Sequence, residues 1–273
     1  MLVNGQNSDA ISIEDRGLLY GDGIFETILC EQGKPILFEQ HIGRLHKGCE
    51  RLLLAIQDEG TLHSEVMQVA QGDDCVIKIM VTRGVRARGY RFDTQDQAVT
   101  RIVYRSPVPD IPESYYRQGI SLALSDYRLP KNEILAGIKH LNRLDQVLAC
   151  QGWEAEIAEK VMLDHEGLVV EGTMSNIFIE TEGVLITPTL NQGGIEGVMR
   201  DWLIKQAPQL AIDCQQQDFD LATLEKADAI FMCNSVVGIW PVVRFQDHTY
   251  SVSDNVRQLM RFVNNKLSAL YKA

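Results

Sequence analysis

Four short strand-like runs follow one another closely in the second half of the chain: Lys160 to Leu163, Leu168 to Val170, Asn176 to Glu180 and Val184 to Thr187. Strands this short and this dense predict a folded-over sheet or barrel rather than a doubly wound fold. The first half reads differently. Gly23 to Cys30 has the composition of a strand, a turn follows over residues 32–35, and Ile36-Leu37 reads as a second short strand. From Phe38 to Ile56 apolar residues recur at Ile42, Leu45, Cys49, Leu52 and Ile56, the spacing of an amphipathic helix. A further helix is predicted over Leu62 to Ala70, and strands over Cys75 to Thr82 and Arg101 to Arg105.

Pro107-Val108-Pro109-Asp110-Ile111-Pro112 interrupts regular structure and marks a domain boundary. Beyond it come a strand at Ile120 to Leu124, a helix from about Asn142 to Trp153, and a helix starting near Gly197. Strands are expected at Ala211 to Gln215, Ala229 to Cys233 and Val236 to Val243, and Ser253 caps a terminal helix. The expectation is an α/β (α+β) protein with an N-terminal domain over 1–112, a linker over 113–118 and a C-terminal domain over 119–273.

At 273 residues and 45% hydrophobic, the chain can bury a substantial core. No apolar run is long enough to span a bilayer, and Met1-Leu2-Val3-Asn4-Gly5 lacks the basic-then-apolar pattern of a secretory signal. A cytoplasmic protein with no membrane association is expected. The six cysteines form no C-x-x-C pair, and several sit in apolar runs, so free buried thiols are expected rather than disulfides. His41 and His46 lie five apart, off the one-face spacing of a helical metal pair, and no metal is expected. A net charge of −11 disfavours nucleic acid as a partner. An anionic ligand would need locally placed arginines and helix ends.

Five segments could carry chemistry. In Gly137-Ile138-Lys139-His140-Leu141-Asn142-Arg143-Leu144 one lysine stands between a strand-like apolar approach and a helix start. Lys139 is either an ordinary surface charge or a partly desolvated nucleophile or base. Gly193-Gly194-Ile195-Glu196-Gly197-Val198-Met199-Arg200 is a glycine-rich loop opening a helix, either an anion site or a plain connection. Glu171, at the end of an apolar strand, is a solvated turn residue or a buried partner for a cation. Arg44, beside the apolar stripe of its helix, packs its stem or aims its guanidinium at an anion. The arginines between Thr82 and Arg91 form an anion-capture loop or a solvated one.

Taken in order, Gly21-Asp22-Gly23-Ile24-Phe25-Glu26-Thr27, His41-x-x-Arg44-Leu45, the Gly137 to Leu144 run, Glu171-Gly172-x-x-Ser175-Asn176-Ile177-Phe178 and Gly197-Val198-Met199-Arg200 resemble the fold-type IV pyridoxal-phosphate enzymes. That class includes branched-chain aminotransferases, D-amino acid aminotransferases and 4-amino-4-deoxychorismate lyases. Gly-Ile-Lys-His-Leu-Asn-Arg-Leu, with Arg88-Gly89-Tyr90 upstream, is most similar to the lyases.

The resemblance implies that Lys139 is the Schiff-base lysine and Glu171 the partner of the pyridinium nitrogen. It implies a phosphate held by Arg44, by the N–H groups of Val198 and Met199, and by Asn234 or Ser235. It also implies a homodimer. A dicarboxylate substrate would be recognised by Arg83, Arg88 and Tyr90, an expectation drawn from their clustering. One departure is visible: lyases often have two glycines where this chain has Arg86 and Ala87. A transaminase on the same scaffold is the alternative, and a cofactor-free binding module the third reading.

Overall fold

The computed structural model describes residues 1–55, 59–86, 88–93 and 98–272. By its internal contacts the chain divides into two units, Met1–Pro109 with Ile138–Arg143, and Asp110–Gly137 with Leu144–Ala273.

The first unit is an antiparallel sheet backed by two helices. Its elements are β1 (Leu2–Val3), β2 (Gln6–Asn7), α1 (Arg16–Tyr20), β3 (Gly23–Glu31), β4 (Lys34–Pro35), α2 (Phe38–Leu52), α3 (Glu59–Ala70), β5 (Cys75–Thr82) and β6 (Thr100–Ser106). The strand order is β2-β1-β6-β5-β3-β4, with antiparallel pairing throughout. One face of β3 (Ile24, Ile28, Cys30) and of β5 (Cys75, Ile77, Ile79, Val81) packs against Ile42, Leu45 and Cys49 of α2 and Leu62 and Val66 of α3. Each such aliphatic side chain removed from water contributes about 2 kcal/mol, so this one layer anchors the unit.

Local backbone geometry corrects three boundaries here. The strand expected at Ile36-Leu37 is instead Lys34–Pro35, because Leu37 stands at φ 53° and opens α2. The helix ends at Leu52 rather than Ile56: Leu53 turns left-handed at φ 54° and its N–H returns to the carbonyls of Cys49 and Glu50. Ile56 itself lies outside the described residues. The second helix starts three residues before the expected Leu62, at Glu59.

The second unit holds α4 (Ser114–Arg117), β7 (Ile120–Leu129), α5 (Leu144–Ala149), β8 (Glu159–Asp164), β9 (Val169–Gly172), β10 (Asn176–Thr181), β11 (Val184–Thr187) and α6 (Val198–Gln206). A 3-10 turn at Ala207–Leu210, β12 (Cys214–Gln216), α7 (Leu221–Glu225), β13 (Ala229–Asn234), β14 (Gly238–Phe245), β15 (His248–Thr249) and α8 (Asp254–Lys266) complete it. The sheet runs β12-β11-β10-β13-β14-β7-β8-β9, with β15 on β14. β9 ends that row, yet a turn closed by Gly172 N–H on the Ser175 carbonyl (2.7 Å) joins it directly to β10, third from the other end. A sheet tied in this way must bend back on itself, which is the barrel-like curl the short strands predict.

Three further expectations change. The helix placed at Asn142 to Trp153 is confined to Leu144–Ala149, and the strand expected at Ala211 begins at Cys214 because Ala211 closes the preceding turn at φ 56°. The segment 113–118 contains a helical turn whose Tyr116 is buried and donates from its hydroxyl to the Val237 carbonyl (3.0 Å), so it is packed structure of the second unit. Ser253 caps α8 as expected, its hydroxyl accepting from Val256 N–H.

Candidate active site

In the first unit, the Gly21 to Thr27 run and the Lys139 run are neighbours. β4 covers only Cys30 and Glu31 of β3, leaving the flank at Gly23 to Phe25 for another segment. Residues 139–141 take it: Phe25 N–H donates to the Lys139 carbonyl and Leu141 N–H to the Gly23 carbonyl, both at 2.9 Å. Asn142 Nδ2 adds a bond to the Gly21 carbonyl (3.2 Å). Gly21 sits at φ 63°, where a Cβ would stand 2.3 Å from Asn142 Oδ1, so glycine is required there.

Thus Lys139 belongs by contact to the first unit, not to the C-terminal domain expected to carry it, because its backbone is bonded to β3. Its approach is also not a strand: residues 133–136 form a turn, with Ile134 exposed. The half-buried side chain places Nζ 4.5 Å from the centroid of the Phe25 ring, a cation–π distance.

Beside this segment lies a buried charge cluster. Glu26 is fully buried and accepts from Arg44 Nε at 2.8 Å, from Arg44 Nη2 at 2.5 Å and from His41 Nδ1 at 2.6 Å. Burial alone would raise the carboxyl, but the Arg44 charge and these bonds outweigh it and hold Glu26 at about 2. His41 moves down from its ordinary value, chiefly because burial disfavours its cation, with Arg44 and Lys139 acting in the same direction. His41 is therefore neutral near pH 7, and Nδ1 is the nitrogen that carries the proton given to Glu26.

The arginine-rich loop divides. Arg83 is buried and committed: Nε and Nη2 donate to Asp22, and Nη1 and Nη2 to the carbonyls of Leu53 and Leu52 at the end of α2. Its guanidinium also lies over the Phe92 ring at 3.7 Å. Four of its five N–H groups are spent on structure, which overturns its assignment to a substrate carboxylate. Arg88 and Tyr90 are exposed, and the Tyr90 ring rests 5.2 Å from that of Tyr20. Arg86 donates to the carbonyls of Val85 and Ala98, while Ala87 lies outside the described residues.

In the second unit, Glu171 is buried at the end of β9, and its Oε2 accepts from Ile195 N–H at 2.9 Å. Asn176 Nδ2 holds the carbonyl of the same Ile195 (2.9 Å), so the glycine-rich loop is gripped on both sides. Gly137 pairs with that loop too, donating to the Gly194 carbonyl and accepting from Glu196 N–H, each at 3.0 Å. Gly197 then caps α6 without a side-chain bond, which leaves the N–H groups of Val198 and Met199 with no acceptor inside the helix. A Cβ on Gly197 would fall 1.9 Å from Asn176 Oδ1.

Asn234 is used differently from the expectation. Its Oδ1 accepts from Val236 and Val237 N–H (2.8 and 2.9 Å) and its Nδ2 donates to the Met174 carbonyl (3.1 Å), so the side chain shapes the turn. Ser235 follows in that turn, its carbonyl accepting from the Tyr271 hydroxyl (2.8 Å).

Glu159 was not anticipated. Fully buried, it accepts from the N–H groups of Lys160, Thr173 and Met174 and from the hydroxyls of Thr173 and Ser175. It thereby fixes the turn that follows Glu171. Burial pushes its carboxyl above the ordinary value despite those bonds. Among the described residues no cluster of three metal-ligating side chains occurs, and no helix is long and apolar enough to cross a membrane.

The pattern of the class IV amino-transferases matches residues 23–245, and the chain belongs to that family. It is 33% identical to an aminodeoxychorismate lyase of Vibrio harveyi, over 88% of this chain and 89% of that one. It is 34% identical to a putative branched-chain-amino-acid aminotransferase of Methanocaldococcus jannaschii, over 85% and 81% respectively. The crystal structure of 4-amino-4-deoxychorismate lyase from Pseudomonas aeruginosa superposes with a TM-score of 0.93 at 40% identity, covering 97% of this chain and 98% of the other.

Proposed function

We propose that this chain is a pyridoxal-phosphate-dependent lyase that converts 4-amino-4-deoxychorismate to 4-aminobenzoate and pyruvate, a reaction of folate biosynthesis carried out in the cytoplasm. The observation that carries this reading is the likeness to the Pseudomonas aeruginosa lyase along almost the whole chain. The alternative, a D-amino acid or branched-chain aminotransferase, draws on the aminotransferase relatives.

The residues present fit the cofactor by their chemistry. Lys139 supplies a half-buried amine for its aldehyde, and Glu171 a buried carboxylate for its ring nitrogen. Arg44, the Val198 and Met199 N–H groups and Ser235 are donors suited to its phosphate. Bound there, pyridoxal phosphate supplies an electron sink for the carbon that bears the substrate amine.

Lys139 takes the proton from C4 of the substrate as general base, and the C3–O bond breaks to release the enol of pyruvate. The remaining ring becomes aromatic, which makes the elimination strongly downhill, so the protein mainly has to position groups and provide the base. The Phe25 ring, 4.5 Å from Lys139 Nζ, restricts where the amine swings. The Ile195 N–H keeps the Glu171 carboxyl oriented. Arg88 and Tyr90, both exposed, remain the side chains we assign to the substrate carboxylates. The homodimer belongs to the same proposal, and Leu144, Val147 and Leu148, exposed on one face of α5, support it.

Incubation with 4-amino-4-deoxychorismate tests the reading. Stoichiometric 4-aminobenzoate and pyruvate are expected. Conversion of the cofactor to its pyridoxamine form by D-alanine or a branched-chain amino acid, with no release of pyruvate from the chorismate derivative, would select the transaminase.

A further inference from the structure

A guanidinium meets an anion with useful geometry only when its long, flexible side chain is held in one orientation. In the first unit one edge of Arg44, Nε with Nη2, is occupied by Glu26. The carboxylate is in turn gripped by His41 Nδ1, one helical turn before Arg44 on α2. We propose that Glu26 and His41 are positioning residues that fix the Arg44 guanidinium for the phosphate of the cofactor. The inference rests on the pyridoxal-phosphate reading above.

Three observations separate positioning from plain packing. A buried ion pair can often be replaced by apolar side chains at no loss of stability, so stability alone is a poor reason to keep one here. His41 Nε2 is buried with no hydrogen-bond partner among the described residues, a cost that an apolar ring in its place would not carry. What the imidazole provides is the Nδ1 bond that holds Glu26 against Arg44. The cluster also lies within the electrostatic reach of Lys139, which acts on His41.

Glu26 is an anion beside a proposed anion site, and removing its charge would by itself strengthen phosphate binding. Glutamine at this position keeps one acceptor but turns an NH2 group toward an arginine that has only donors, so the fork is lost. Bonds to charged groups are worth about 1.5–3 kcal/mol, roughly 10- to 100-fold in affinity, and we expect the loss of orientation to dominate.

The test compares pyridoxal phosphate with pyridoxal, titrated into the full-length apoprotein and followed by cofactor absorbance. Both ligands offer the same aldehyde to Lys139, so the phosphate contribution is isolated. Glu26→Gln is expected to weaken pyridoxal phosphate by about 10-fold or more and leave pyridoxal within about 2-fold, the pattern also expected of Arg44→Ala. His41→Leu is expected to show the same selective loss at smaller size, and His41→Asn, which keeps a donor near the Nδ1 position, to restore affinity. Equal loss for both ligands, no loss, or tighter pyridoxal phosphate binding in Glu26→Gln would overturn the proposal. Should Glu26→Gln not fold, the His41 pair decides alone: equal behaviour of His41→Leu and His41→Asn contradicts it. Wild-type protein that binds neither ligand would instead remove the functional reading itself.

Discussion

Arg83 and Asp22 meet in a two-pronged ion pair, Nε to Oδ2 at 2.8 Å and Nη2 to Oδ1 at 3.0 Å. Asp22 Oδ2 also accepts from Arg16 Nε (2.9 Å), and Arg16 in turn donates to the Gly89 and Tyr90 carbonyls. Although burial opposes it, Arg83 and Arg16 hold the Asp22 carboxyl below its ordinary value. The loop bearing Arg88 and Tyr90 is thus anchored at its base by a structural arginine. Arg83→Ala leaves the carbonyls of Leu52 and Leu53 short of a donor and should destabilise the fold by about 3 kcal/mol. Urea unfolding measures this. A variant with wild-type stability and a selectively raised substrate KM would return Arg83 to the recognition role.

Gly197 caps α6 at φ −64°, a conformation open to any residue, so its constraint is spatial. With a Cβ only 1.9 Å from Asn176 Oδ1, Gly197→Ala must displace the side chain that grips the Ile195 carbonyl. We expect a stability loss of about 1–3 kcal/mol, typical of overpacking, together with weaker phosphate binding. Thermal melts with and without added cofactor report both effects, and an unchanged Tm in each condition would show that the loop accommodates the methyl group.

The acid limb of stability should carry the signature of Glu26. Its folded pKa, about 2, lies below the unfolded carboxylate range, so its contribution is complete above the unfolded value and fades as pH falls toward 2. Asp22 acts in the same direction. Glu159, raised by burial, opposes them, favouring the fold as it protonates. The stability difference between wild type and Glu26→Gln should therefore shrink between about pH 5 and pH 2. A difference that stays constant across that range would contradict the assignment.

Thiol labelling probes the packing independently. Burial raises Cys30 and Cys49 to about 12 and Cys233 higher still, whereas Cys150 is exposed. Only the thiolate reacts with alkylating agents. At neutral pH Cys150 should label first, and Cys30, Cys49, Cys75 and Cys233 only after denaturation. Rapid native labelling of any of those four would place it outside the core.

The long elements were legible because periodicity is a local property: β3, β5 and α2 each show it within a single window. The short ones were not. Leu37, Leu53 and Ala211 stop or redirect the chain at positive φ, although nothing in a leucine or alanine announces that conformation. The pattern of motifs, rather than any one segment, is what singles out Lys139, Glu171 and the α6 start as candidates. Glu26 stands in one of those motifs, which by itself shows no role for it. Yet Ile24, Ile28 and Cys30 alternate with it on the core face of β3, so a carboxylate there had to be buried and paired. The arginine cluster misled for the opposite reason. Local charge density does not distinguish Arg83, folded onto Asp22, from the exposed Arg88.

In the proposed reaction Lys139 is the base of a cofactor-dependent elimination. Its most direct test is pyruvate release from 4-amino-4-deoxychorismate by wild type and Lys139→Ala, each loaded with pyridoxal phosphate and checked for folding. We predict steady turnover with equimolar 4-aminobenzoate for the wild type and a loss of at least about 10³-fold for the variant, since one side chain supplies the proton-transfer step. Turnover by Lys139→Ala at a rate near wild type would exclude Lys139 as that base.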